Sequence, residues 1–419
     1  MSLRLREINK SALITAILLF ILARPYFVWK ISNMSYGVQG IIFTAVVELI
    51  ISFFFFKNQI KNSAYKKKLI LIFFFVFFLE VFFKLMRGWM MGVIIELPYA
   101  LLVLLPLAND KFEKDTFSYL ATIYSIIVAV SLVSLVLVTL GMLTPIGTIE
   151  NVDERLYQAG KNWIHYPMLL VCMPMVGLSE TASLRFCGVF DEPGVIGTVG
   201  AFLLCGSGFK WNDWRTYVLI ISGLLSFSLF FYVVIIGYWL IKSLIVKHNP
   251  AYLIGFAIVF ALFYLCTKDN PNVKELVWER LEWDSETGTL AGDSRTSSNY
   301  YYEHMGMDEF LFGVKDLGLY GEYAFGESSY KTTIAEHGLI FFMMYIFYFL
   351  YIGYHSRIVR GSFILYSFVL LGCMYQRSGV YDALMMFLFI YFAKHQISLD
   401  NKKKISKNYG PSINNNSDI

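Results

Sequence analysis

The chain has 419 residues, of which 57% are hydrophobic, 18% aromatic and only 16% charged, with a mean hydropathy of +0.56. A soluble domain carries about 25% charged residues, so an ordinary water-soluble enzyme is excluded. The net charge of +4 is no nucleic-acid signal, because the basic residues fall in short loops between apolar runs. Those runs approach the ~20 residues needed to span a bilayer, and they predict an all-α, polytopic integral membrane protein. Cys172, Cys187, Cys205, Cys266 and Cys373 lie in or beside apolar segments without CxxC spacing, which indicates neither a disulfide framework nor a metal site.

In chain order, about twelve transmembrane helices are predicted, at 11–28, 38–56, 69–86, 91–107, 118–141, 192–207, 216–228, 229–246, 250–266, 337–354, 361–375 and 379–394. Arg4, Arg6 and Lys10 precede a first run without a small-residue cleavage pattern, so it reads as an anchor. Lys57, Lys61, Lys66–Lys68, Lys111, Lys114, Lys210, Arg215, Lys242, Lys247, Arg357, Arg360 and Lys394 fall in alternate loops, which puts both termini inside. The segment 164–178, IHYPMLLVCMPMVGL, is apolar but short and broken by Pro167 and Pro174. As a full span it would invert every later basic loop, so it is expected to be re-entrant or interfacial within an outer loop at 142–191. The expected organisation is helices 1–9 over 1–266, a large periplasmic loop over 267–335, helices 10–12 over 336–395 and a disordered cytoplasmic tail over 396–419.

Glu48, Glu80, Lys84 and Glu96 sit inside apolar runs, where ionisable groups are costly and suggest either an ion path or an interhelical hydrogen bond. Glu80 and Lys84 are four apart and can pair. The scatter of these acids favours packing over transport. The stretch Ser183–Gly200, SLRFCGVFDEPGVIGTVG, gathers polar chemistry at the mouth of an apolar helix. Its plain reading is a helix start with an acid before Pro193, and glycines at 194, 197 and 200 that let another backbone approach. Arg185 then reaches toward headgroups.

The 267–335 loop holds more acids than bases and many aromatics, among them Tyr300, Tyr301, Tyr302 and Tyr330. Carboxylates and hydroxyls bond sugar hydroxyls, and rings cover pyranose faces, which suits a glycan; the same rings also build a small core or an interface belt. Arg185 and Arg295 each stand close to acids and aromatics, and a guanidinium fork matches phosphate oxygens.

Three stretches together resemble the bacterial O-antigen polymerases (Wzy type), relatives of the O-antigen ligases. They are RFCGVFDEPGVIG at 185–197, DSRTSSNYYYEHMGMDEFLFGV at 293–314, and GESSYKTTIAEHGLIFF at 326–342. The resemblance implies metal-independent, inverting glycosyl transfer without a cofactor at the outer face of the inner membrane. The growing glycan on undecaprenyl pyrophosphate would move to an incoming lipid-linked repeat unit. It implies as partners that glycan, the bilayer, and room for a chain-length regulator. By position Arg185 and Arg295 would hold pyrophosphate or acceptor, and Glu327 or Glu192 would serve as base. Tyr300, Tyr301, Ser328, Tyr330, Glu336 and His337 would line the substrate. Glu327-Ser328 stands where the ligases carry a His-Asn pair, so a ligase is the second expectation. A lipid-linked oligosaccharide flippase is the third.

Overall fold

The computed structural model describes residues 8–28, 38–59, 64–86, 98, 100–150, 162–172, 185–246, 251–270, 273–285, 289–290, 299–314, 329–355, 360–376 and 382–396. Arg295, Glu327, Ser328, Glu96, the tail after Gln396 and the side chains of Glu80 and Lys84 lie outside the described residues.

The apolar runs are helices. In order they are α1 (Lys10–Leu22), α2 (Val38–Lys57), α3 (Ala64–Met86), α4 (Asp110–Thr139), α5 (Pro193–Ser207), α6 (Trp214–Leu225), α7 (Leu229–Ile241) and α8 (Ala251–Thr267). The late loop carries α9 (Asn299–His304) and α10 (Met307–Phe312), and then follow α11 (Tyr330–His337), α12 (Leu339–His355), α13 (Arg360–Gln376) and α14 (Ala383–Tyr391). A π-helical turn, Phe392–Gln396, prolongs α14. The run expected over 91–107 closes in a 3-10 turn, Leu105–Leu107, around Pro106.

Helix α1 is shorter than the run expected over 11–28, while α5, α6 and α7 keep close to their expected bounds, each for local reasons. α1 stops because Arg24 takes a φ of +56° and a proline follows it. α5 starts on Pro193 and ends on Gly208 at φ +72°, and α6 ends before Phe227 at φ +47°. With 13, 15 and 12 residues, α1, α5 and α6 each fall short of a bilayer's hydrocarbon thickness, whereas a π-helical turn over Lys242–Val246 prolongs α7. Length and apolarity single out α4, with 30 residues and a mean hydropathy of 2.5, as able to cross a membrane by itself among the described residues. Helices α11 and α12 qualify only as a pair bent by 117°. The described residues thus form an all-α body, a coarser picture than twelve full-length spans.

Helix α4 is apolar on both sides: it buries Phe112, Phe117, Leu120, Tyr124 and Val128, and its outer face is apolar where a helix on a water-soluble core would be polar. Ser125, Ser131 and Ser134 are buried, whereas Ile126, Val130, Val133 and Val136 face outward. Helix α6 repeats the pattern, burying Thr216, Ser222 and Gly223 and exposing Tyr217, Ile221 and Leu224. Ile42, Val46, Leu49, Phe53 and Phe56 make an outward stripe on α2, and Leu71, Phe74, Phe75 and Phe78 another on α3.

Helix ends gather at two opposite sides. At one, Glu113 in the first turn of α4 is fully buried and accepts from Lys394 Nζ at 2.6 Å, with His395 Nε2 at 2.7 Å from its other oxygen. Asp110, Glu113 and His395 have metal-ligand spacing, but the Lys394 ammonium already supplies the cation. Beside this clasp, Arg215 Nε donates to both Asp213 oxygens at 2.9 Å and its Nη1 to Thr122 Oγ1 at 2.9 Å, fastening α6 to α4. The same guanidinium holds the Asp213 carboxyl below the usual carboxylate range.

The other side carries a three-stranded antiparallel sheet of β1 (Gly147–Ile149), β2 (Trp163–Tyr166) and β3 (Leu169–Cys172), in that order. The segment expected to be re-entrant or interfacial is therefore, over its described part, a β-hairpin that pairs Ile164 with Val171 and turns at Pro167–Met168. Met168 takes a φ of +55° there. A second ribbon, β4 (Trp283–Asp284) with β5 (Thr289–Leu290), lies in the late loop.

Candidate functional site

The Arg185–Gly200 stretch is seated on the C-terminal end of α6. Arg185 Nε donates to the Ser226 carbonyl at 3.2 Å and Nη2 to the Phe227 carbonyl at 3.4 Å, while the Phe186 N–H bonds the Leu225 carbonyl at 3.0 Å. These donors serve carbonyls that a helix end leaves without intrahelical partners. Two nitrogens of the expected pyrophosphate fork are thus already engaged in holding the α6–α7 corner. The chain then turns at Gly188, φ +57°, whose carbonyl accepts from Leu170 of β3 at 2.7 Å. Phe190 is fully buried, with its ring 5.4 Å from Tyr124 and 6.1 Å from Phe20.

Glu192 occupies the residue before α5 in an extended conformation, but its side chain makes no capping bond. The glycine stripe does what the sequence suggests. A Cβ on Gly197 would lie 2.4 Å from Ser228 Cβ, and one on Gly200 would meet the Leu219 carbonyl at 3.9 Å. Helix α5 therefore packs directly on the α6–α7 corner that Arg185 holds.

The second and third motif stretches interlock. Gly313 and Gly338 share an unusual backbone, φ +90° ψ 160° and φ +89° ψ 157°, which is essentially restricted to glycine. Gly338 lets the end of α10 close on the α11–α12 elbow, for a Cβ there would lie 2.4 Å from the Leu311 carbonyl oxygen. The Val314 N–H donates to the Ala335 carbonyl at 2.8 Å. Tyr301 packs on Val314 and Ala335, and the Tyr302 hydroxyl donates to the Lys331 carbonyl. Lys331 Nζ reaches Asn299 Oδ1, joining α11 to α9.

Of the expected substrate-lining residues, Tyr300 is exposed, with its ring 4.3 Å from His304. Tyr330 stacks on Tyr375 at the end of α13, with ring centroids 5.3 Å apart. His337 lies 3.8 Å from the Glu336 carboxylate and stacks on Phe341 at 4.9 Å. Arg295, Glu327 and Ser328 belong to the same stretches but fall outside the described residues.

Three charged groups that the sequence reading did not assign to this side also meet here. Arg24 is exposed at the end of α1, beside the turn of the first motif: Pro25 bridges Phe190, and the Tyr26 N–H donates to the Val189 carbonyl at 2.8 Å. Asp382 is within electrostatic reach of Arg24 and caps α14 through the Met385 N–H at 2.8 Å. Glu48, fully buried on α2, accepts from the Ala383 N–H at 3.4 Å, and its second oxygen has no hydrogen-bond partner among the described residues. Arg24 and Asp382 are distant in sequence, and a proline next to an arginine at the end of an apolar run was their one available signal. No protein-family model, no curated protein and no solved structure matches the chain.

Proposed function

We propose that this is a multi-pass protein of the bacterial inner membrane that polymerises surface polysaccharide, as the O-antigen polymerases do. The apolar outer faces of α4 and α6 and the apolar stripes on α2 and α3 support a lipid surround. Lys57, Lys111, Lys114, Lys210, Arg215 and Lys394 lie at helix ends on the Glu113 side, which fits a cytoplasmic face there. The Arg185 side is then periplasmic, and the 267–335 loop is assigned to it.

One observation carries the enzymatic reading. The second and third motif stretches clasp each other through Gly338 and Val314, on the side of the body that also holds the Arg185 turn. In the proposed reaction a carboxylate, Glu327 or Glu192, takes the proton of the acceptor hydroxyl. That oxygen attacks the anomeric carbon of the glycan on undecaprenyl pyrophosphate. The bond from that carbon to the pyrophosphate oxygen breaks, and the lipid pyrophosphate leaves with its negative charge met by arginine. Arg185 enters this scheme as the residue that fixes the corner beside the substrate.

The test is the surface glycan resolved on a gel from a strain lacking the gene, with and without the wild-type copy. A ladder that collapses to core plus one repeat unit supports polymerisation. Absence of any repeat unit on the core sinks it, and long glycan left on the lipid carrier would identify a ligase. The second reading, a lipid-linked oligosaccharide flippase, is favoured by the unpartnered oxygen of buried Glu48.

A further inference from the structure

We infer that Arg24 is the residue that binds the substrate's pyrophosphate, with Arg185 positioning the turn beside it. The inference rests on the polymerase reading and deepens it. Arg185 spends Nε and Nη2 on the Ser226 and Phe227 carbonyls. The Arg24 guanidinium makes no hydrogen bond to any described residue, and the residue is exposed. Its donors are not taken up by any described residue, and arginine keeps its charge at every physiological pH.

The backbone holds Arg24 deliberately. Its φ of +56° is one that glycine takes readily at the end of a helix and that arginine takes at a cost. The Arg24 N–H closes α1 on the Ile21 carbonyl at 3.0 Å, and the next two residues are tied to Phe190 and Val189. The first motif is thus joined through the backbone to the residues that follow Arg24. Asp382 lies within electrostatic reach of the guanidinium and has its Oδ1 committed to the α14 N-terminus. The N-terminus of α5, which Glu192 does not cap with its side chain, opens just after the same turn and adds partial positive charge.

The test uses the full-length protein in detergent with farnesyl pyrophosphate as probe and inorganic pyrophosphate as competitor. Arg24→Gly removes the side chain and suits the backbone, so it should fold with an unchanged or higher Tm. Loss of a charge-assisted contact should weaken farnesyl pyrophosphate binding about 10- to 100-fold. Arg24→Lys should recover part of the affinity, and Arg24→Gln, of similar length but neutral, should not. Competition by inorganic pyrophosphate supports recognition of the diphosphate; its failure to compete means that the lipid tail alone is bound, and overturns the inference. Wild type that binds, with Arg24→Gly and Arg24→Gln binding equally well, overturns the role of Arg24 and leaves the polymerase reading standing. Wild type that binds no prenyl pyrophosphate removes both.

Discussion

Replacing Gly338 by alanine tests the junction on which the proposed site depends. Two costs add. The position has φ +89° and ψ 157°, where a side chain is strained by about 1–3 kcal/mol. The new methyl carbon would also sit 2.4 Å from the Leu311 carbonyl oxygen and 2.6 Å from the Phe312 carbonyl carbon and Cα. All three are backbone atoms of α10 and cannot rotate away, so overpacking adds about 1–3 kcal/mol. The total, about 2–6 kcal/mol, is enough to separate α10 from the elbow or to lower the stability of the whole fold. Gly255→Ala is the control, because that methyl group would meet no atom within 4 Å on α8, and there a helical alanine should be neutral or stabilising by about 0.5–1 kcal/mol. Thermal unfolding of the purified variants, limited proteolysis of the 267–335 loop and the glycan ladder in a deletion strain are the three readouts. Gly338→Ala should lower Tm, expose the loop and shorten the ladder. A Gly338→Ala protein that melts, resists protease and polymerises like wild type would refute the interlock.

Removing either partner of the buried clasp, by Glu113→Ala or Lys394→Met, should cost about 3–5 kcal/mol, and a double-mutant cycle on Tm should show strong coupling between them. Glu48→Gln keeps an acceptor for the Ala383 N–H and should leave the glycan ladder intact; if instead translocation of repeat units stops, the flippase reading wins. Asp213 has its carboxyl held below the ordinary range by Arg215, so it adds stability that is fully present above the unfolded carboxylate pKa and is lost as pH falls through the lower folded value. Arg215→Met should flatten that part of the Tm-against-pH profile, and an unchanged acid limb would contradict the assignment.

Helix positions were legible because apolar runs leave a strong signal: α2, α8 and α13 begin and end within two residues of expectation. The glycines at 197 and 200 were also readable, since small residues at that spacing have few other uses. The hairpin at 163–172 was not. Its turn uses Pro167–Met168 in place of the usual Asn-Gly signal, so its apolar strands resemble a short buried helix. The early end of α1 was hidden because Tyr26, Phe27 and Val28 resume the apolar run after Arg24-Pro25, so hydropathy averages across the break. The site suffered most where it depends on long-range pairing. Nothing local links Arg24 to Asp382, or Glu113 to Lys394 and His395, and nothing local shows that two nitrogens of Arg185 reach the Ser226 and Phe227 carbonyls.

The clasp at Glu113 also orders biosynthesis. Its carboxylate is made 281 residues before the lysine that neutralises it, and Glu48 is made 335 residues before the N–H that it accepts. Until α14 emerges from the ribosome, the earlier helices hold two acids prepared for burial without their partners. The last helix therefore acts as the keystone of assembly: a chain truncated before Ala383 lacks the contacts that close the bundle at both ends, and should be a target for degradation whatever the quality of the helices already made.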